Sequence, residues 1–176
     1  MTKLQETTLT ALRGHLPGFD RFGNREKLVQ GYAYLADVVQ VGEELGSNHG
    51  KYVDDFLKEA GGLSPGAPWC AAVCNWLCEM LGLPNPEKAD AAVIGWKNWA
   101  KANNRLVTSP TRGDICLYLH PDGTGHMGVV VSTDGHTTRS IEGNTSPGVQ
   151  GSQRDGDGLY RRVRPATTWK YFISIV

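Results

Sequence analysis

The chain has 176 residues, 40% apolar and 20% charged, and its 18 basic and 18 acidic side chains leave a formal net charge of zero. That length is enough for one well-formed core, and the composition excludes disordered and fibrous chains. Neutrality argues against nucleic acid or an anionic membrane as the main partner, and with no run of about 18 apolar residues, no membrane insertion is expected.

Met1 to Thr8 shows no apolar stretch of the secretory kind, which predicts synthesis in the cytoplasm without a signal peptide. Residues 2–13 suit a short helix, punctuated by Gly14, Pro17 and Gly18. From about 25 to 45, Leu28, Tyr32, Leu35, Val38, Val39 and Leu45 recur near helical spacing, and the Gly46–Gly50 stretch ends the pattern. Residues 51–60 form the next predicted helix, with Tyr52, Val53, Phe56 and Leu57 inward. A further helix is predicted from about Trp69 to Leu81, with Gly82 as its stop and Pro84 beyond. Residues 89–101, carrying Trp96 and Trp99, also have a helical pattern. Residues 1–30 are taken as a helical N-terminal extension packed on a catalytic domain of residues 31–176.

Past Pro110 the texture changes to short β-rich runs at 114–119, 127–132, 138–142, 158–164 and 169–175. Helices first and strands afterwards predict an α+β domain with an antiparallel sheet. Arg112-Gly113-Asp114 is a turn into the first of these strands. Tyr160-Arg161-Arg162-Val163-Arg164 is basic, but its alternation with apolar residues is simplest as an amphipathic strand. Gly143 to Gly158 is rich in Gly, Ser and Asp and is expected to be a mobile loop beside the site.

Chemistry concentrates at Cys70, where the turn-forming Gly66-Ala67-Pro68-Trp69 runs into an apolar helix. A helix N-terminus presents unpaired N–H groups and the positive end of the dipole, which favours a thiolate over a thiol. Cys74 and Cys78 follow at helical spacing, pointing the same way and poorly placed to bridge one another; they fit core packing, as does Cys116. Their spacing matches no usual zinc motif. On spacing alone Cys70 fits a small buried hydrophobe equally well. His126 lies between two glycines at the mouth of a strand, with His120 second choice as base. Glu142 and Asn144, two apart on a strand, would share a face, with Glu142 preferred to orient His126.

Three stretches in order resemble the CHAP family of cysteine- and histidine-dependent amidohydrolases and peptidases, within the papain-like NlpC/P60 superfamily. They are Pro68-Trp69-Cys70-Ala71-Ala72, then Gly113-Asp114-Ile115 leading to Gly125-His126-Met127-Gly128, then Ile141-Glu142-Gly143-Asn144. The resemblance implies a papain-like fold and cleavage of a peptide or amide bond in the stem or cross-bridge of peptidoglycan. It assigns the nucleophile to Cys70, general acid–base work to His126, orientation to Glu142 and a supporting place to Asn144. Many relatives carry glutamine before the cysteine as an oxyanion donor, where this chain has Trp69. The oxyanion would then rely on the Cys70 N–H and another donor such as Asn48. Trp69 and Trp96 are further candidates to line the groove. Some relatives bind calcium through an acidic loop; Asp54-Asp55 falls in a predicted helix, so no metal or other cofactor is expected. A monomer is expected. Reaching the wall without a signal peptide implies delivery as a phage lysin or as a secreted antibacterial toxin, the latter with an immunity protein as partner. Other thiol acyl-transfer chemistry, such as an isopeptidase, and a non-catalytic wall-binding module are the competing readings.

Overall fold

The computed structural model describes the chain except residues 46, 62, 88–90 and 148–155. Five α-helices come first among the described residues: α1 (Lys3–His15), α2 (Asn24–Ala33), α3 (Lys51–Ala60), α4 (Cys70–Leu81) and α5 (Val93–Ala102). α1 opens on a capping box, in which Thr2 and Gln5 satisfy each other's backbone N–H groups. Its Gln5 side chain donates to the Trp76 carbonyl at 2.9 Å, tying it to α4. Residues 1–30 supply Leu9, Leu12, Phe19, Leu28 and Val29 to the same core as the rest of the chain. α4 is the centre of that core and buries ten of its twelve residues, the mark of a helix enclosed on all sides. It stops where expected: Gly82 adopts the left-handed conformation at φ 65°, and the Leu83 N–H reaches back to the Cys78 carbonyl at 2.8 Å.

Six strands follow among the described residues: β1 (Leu106–Val107), β2 (Ile115–Leu119), β3 (Gly125–Thr133), β4 (Thr137–Thr145), β5 (Gly158–Pro165) and β6 (Tyr171–Ile173). They form one antiparallel sheet in the order β1-β6-β2-β3-β4-β5. This is the α+β, papain-like arrangement the sequence led us to expect. Strand alternation divides the sheet into two faces. Ile115, Leu117, Met127, Val129, Ile141 and Ile173 join the helical core, whereas Cys116, Val130 and Trp169 form a separate cluster with Tyr118 and Phe172. His126 pairs with Tyr118 across β2–β3, and Gly128 pairs with both Cys116 and Glu142. His126 and Glu142 therefore stand on the second face, one strand apart.

Several boundaries differ from expectation. The helix expected over 25–45 ends earlier: α2 runs into a π-helical turn (Tyr34–Val39), and Gln40 turns left-handed at φ 57°. Leu45, whose apolarity extended the pattern, is 72% exposed. The helix expected from 89 begins at Val93, with 88–90 outside the described residues. The two-residue β1 has too little pattern to be seen in sequence. Of the expected loop at 143–158, residues 143–145 belong to β4, and 148–155 lie outside the described residues. The turn at Arg112–Asp114 is as expected. Asp114, buried at the start of β2, accepts from Arg25 Nε at 2.9 Å and so pins α2 to the sheet.

Gly143 sets the distance between α4 and β4. A Cβ there would lie 2.7 Å from Val73 Cγ1 and 2.8 Å from Trp69 Cζ3, both well inside contact distance. Trp69 precedes Cys70 as the cap of α4 and Val73 lies one turn into that helix, while Gly143 follows Glu142, so this contact sets how far the helix start stands from the carboxylate strand. Gly143→Ala should lower stability by about 1–3 kcal/mol, measured as a shift in the denaturation midpoint; an unchanged midpoint would show that the helix–sheet spacing is not set here.

Candidate active site

Cys70 is the first residue of α4, and Trp69 caps the helix without a side-chain hydrogen bond. The first helical bond runs from the Val73 N–H to the Trp69 carbonyl, so the N–H groups of Cys70, Ala71 and Ala72 have no acceptor within the helix. They are the donors from which an oxyanion site could be built. Cys70 is only 4% exposed and lines a cleft of about 700 Å³ together with Leu63, Pro68, Val93, Tyr118 and His120. The apolar walls come from the connector before α4 and the start of α5; the opposite wall is the β2–β3 turn.

The His126 ring is buried against the second sheet face. Its Nε2 lies 2.8 Å from Glu142 Oε2, and the ring stacks on Trp169 at 6.3 Å between centroids with 19° between planes. Nδ1 is buried and makes no hydrogen bond in this geometry. Burial alone would lower the imidazole pKa, but interaction with the Cys70 thiol and the Glu142 carboxylate outweighs it and raises the pKa to about 9. With Nε2 taken by Glu142, Nδ1 is the nitrogen left for Cys70. Glu142 is also buried, yet hydrogen bonds from Arg164 and His126 overcome that penalty and hold its carboxyl at about 2. An ionised carboxylate only accepts, so it fixes Nε2 as the protonated nitrogen and leaves Nδ1 to take or give a proton.

Glu142 has more partners than the sequence suggested. Ser140 Oγ donates to Oε1 at 2.5 Å, and the Arg164 guanidinium grips both oxygens, with Nε at 2.8 and 3.0 Å and Nη2 at 2.5 Å from Oε2. Arg164 also lies 5.9 Å over the Trp169 ring. The sequence pattern assigns neither Ser140 nor Trp169 to the site, and it places Arg164 only in a basic amphipathic strand. For β5 the expectation of an ordinary amphipathic strand is reversed: Arg162 and Arg164 are buried, at 6% and 8% exposure, while Val163 is 56% exposed. Cross-strand pairing explains the reversal, since Ser140 lies opposite Arg162 and Glu142, two residues further along β4, shares that face. The only sequence signal was a pair of cations two residues apart, and without a partner strand that pattern points outward.

The remaining expected site residues are placed otherwise. Trp69 and Trp96 do not line the groove: both are fully buried. Trp69 donates its indole N–H to Glu43 at 3.0 Å and packs on Phe56, while Trp96 packs edge-on against Trp99. Their large apolar rings gain more from the core than from a wet cleft. The Asn48 amide donates to the Gly66 carbonyl at 2.9 Å, so it braces the connector before α4 and is not aimed at an oxyanion. Asn144 is buried near Glu142 in sequence, but it does not share a simple strand face with it. The β4–β5 register slips between Glu142 and Thr145, and Asn144 takes a left-handed φ of 51°, which breaks the alternation. His120 lines the cleft and stands edge-on to Tyr118 at 5.4 Å. Asp54 pairs with His49 at 3.1 Å, and Asp55 accepts from Thr2 and Trp76, so both carboxylates are engaged within the fold. The other cysteines are buried, and Cys78 and Cys116 are held firmly as thiols, Cys78 by a hydrogen bond with Cys74 and by burial, Cys116 by burial and the nearby Glu142 charge.

A protein-family model described as the CHAP domain matches residues 62–144, a span holding Cys70, His126, Glu142 and Asn144. No curated protein and no solved structure matches the chain.

The ion pairing links stability to pH with a definite sign. His126, raised from 6.5 to about 9, contributes stability that is full below 6.5 and is lost as pH rises to about 9. Glu142, lowered from 4.5 to about 2, contributes stability that is full above 4.5 and is lost as pH falls to about 2. Melting temperature should therefore peak between pH 4.5 and 6.5, and Glu142→Gln should flatten both flanks. Equal flanks in variant and wild type would place the linkage elsewhere.

Proposed function

We propose, from the match of residues 62–144 to the model of the CHAP domain, a peptidoglycan-related hydrolase and amidase family, that this chain cleaves a peptide or amide bond of the peptidoglycan stem peptide or cross-bridge through a thioester on Cys70. The observation that carries this reading is the buried His126, with Nε2 engaged by Glu142 and Nδ1 left for the thiol at the cleft.

The Cys70 proton passes to His126 Nδ1, and the thiolate attacks the scissile carbonyl carbon. The oxyanion that forms is stabilised by N–H groups of the first turn of α4, aided by the helix dipole. Collapse of this intermediate breaks the C–N bond as His126 gives its proton to the departing amine. A water then loses a proton to Nδ1 and attacks the thioester, and Cys70 departs to regenerate the resting site. Glu142 stays ionised throughout, holding Nε2–H and balancing the imidazolium. Peptidoglycan is thus the proposed partner and no cofactor takes part. The setting is bacteriolytic, as a lysin or as an injected toxin countered by an immunity protein.

The test is mass spectrometry of purified peptidoglycan incubated under reducing conditions with wild type and with Cys70→Ala. New fragments should form with wild type and fall by at least about a thousandfold in the variant, whose fold is checked by melting temperature. Walls of several chemotypes all left intact, or full turnover by Cys70→Ala, would sink the assignment.

A further inference from the structure

Behind Glu142 stand two groups with no part in the steps above. Arg164 carries its charge into a buried position and commits both Nε and Nη2 to the carboxylate, the two-point grip that guanidinium geometry favours. The same guanidinium lies over the Trp169 ring, which also stacks on the His126 imidazole and packs against Tyr118. Arg164, Glu142, His126 and Trp169 thus close a ring of contacts around the imidazole: one arm holds an atom of the ring, the other holds its plane.

We propose that Arg164 is a positioning residue for this site, acting on His126 along two routes, through Glu142 on Nε2 and through Trp169 on the ring face. This rests on the reading of Cys70 and His126 as the reacting pair. Neither Arg164 nor Trp169 lines the cleft that Cys70 opens on. A carboxylate held at both oxygens by a planar guanidinium cannot turn about its Cγ–Cδ bond without losing a hydrogen bond, so the oxygen facing Nε2 stays in place, and with it the direction of Nδ1 toward Cys70. The positive charge has a second effect. An unneutralised buried carboxylate would hold the imidazolium proton too strongly for transfer to a leaving amine; Arg164 tempers that pull. The other groups facing this cluster are Cys70 from α4, Tyr118 and Cys116 from β2, Ser140 from β4 and Arg162 from β5. Of these, Arg162 carries a lasting positive charge, but its guanidinium hydrogen-bonds the Ser146 carbonyl.

The experiment compares Arg164→Gln and Arg164→Lys with wild type by imidazole ¹H–¹⁵N spectra across pH, together with the rate at which iodoacetamide alkylates Cys70, located by peptide mapping. Both readouts are independent of peptidoglycan, so failure of the substrate assignment is distinguishable from failure of this one. Removing the charge should move the His126 titration midpoint upward by about one unit, because the lone carboxylate then holds the shared proton more tightly. Lysine keeps the charge but not the fork, so its midpoint should stay within about half a unit of wild type. Its His126 resonance should nevertheless broaden or shift, and Cys70 alkylation should fall several-fold at neutral pH. If Arg164→Gln does not fold, because Glu142 is left buried alone, Arg164→Lys decides. Where hydrolysis is measurable, the lysine variant should lose kcat at least about tenfold with KM unchanged. A purely structural role would lower the melting temperature and leave the midpoint, the ring resonance and the alkylation rate of the folded fraction as in wild type. That result in either folded variant would overturn the proposal.

Discussion

One buried carboxylate organises this molecule. Glu142 has no solvent exposure, and an isolated charge so placed would cost several kcal/mol and neutralise itself by taking a proton. It remains charged because Arg164, Ser140 and His126 meet its oxygens from strands β5, β4 and β3. The constraint runs both ways. A sheet that did not bring those three strands into this register would leave the carboxylate unpaired, so formation of the site and correct strand pairing are energetically the same event. Gly128 takes part as well, since a Cβ there would stand 2.7 Å from Glu142 Cγ.

The thiol is supplied by a different kind of element. α4 is held by burial around most of its circumference, and its N-terminus is left without a side-chain cap at Cys70. A capping serine or aspartate would have occupied the free N–H groups that an oxyanion needs. Lack of a cap lowers helix stability at that end, and packing of Trp69 against Phe56 and its hydrogen bond to Glu43 offset the loss. The helix supplies one polar end and the sheet one polar face, and the apolar contact of Gly143 with Val73 and Trp69 fixes their separation. Rigid apolar packing here places the reacting groups; the polar groups set their protonation.

Much of the architecture was legible in sequence, for reasons that differ among elements. α3 and α4 show strong helical periodicity or continuous apolarity bounded by glycine, and both lie where expected. The strands β2 to β5 announce themselves by β-branched runs between turn residues. The stretch after Ala33 was not legible, because a π-helical turn has nearly the same spacing of apolar residues as an α-helix; Val38 and Leu45 continued the pattern although they are exposed. The placement of Trp69 beside Cys70 suggested a groove, but a tryptophan ring carries no label saying whether it packs inward or lines a cleft. Asn144 was expected to share a face with Glu142, and a single bulge removed that relation.

The sequence by itself determined the chemistry available: a cysteine at a helix start, a histidine at a strand mouth and a carboxylate on a later strand, in an α-then-β order. These are local properties, written in the types and spacing of neighbouring residues, and they survive without knowledge of the rest of the chain. Only the tertiary structure decided which charges meet. Arg164, Ser140 and Trp169 join Glu142 and His126 through pairing between distant strands, and the cost of burying an ion is resolved only when its partners arrive from elsewhere in the fold. For that reason the buried arginines of β5, outward-facing by local pattern, point inward in the folded protein.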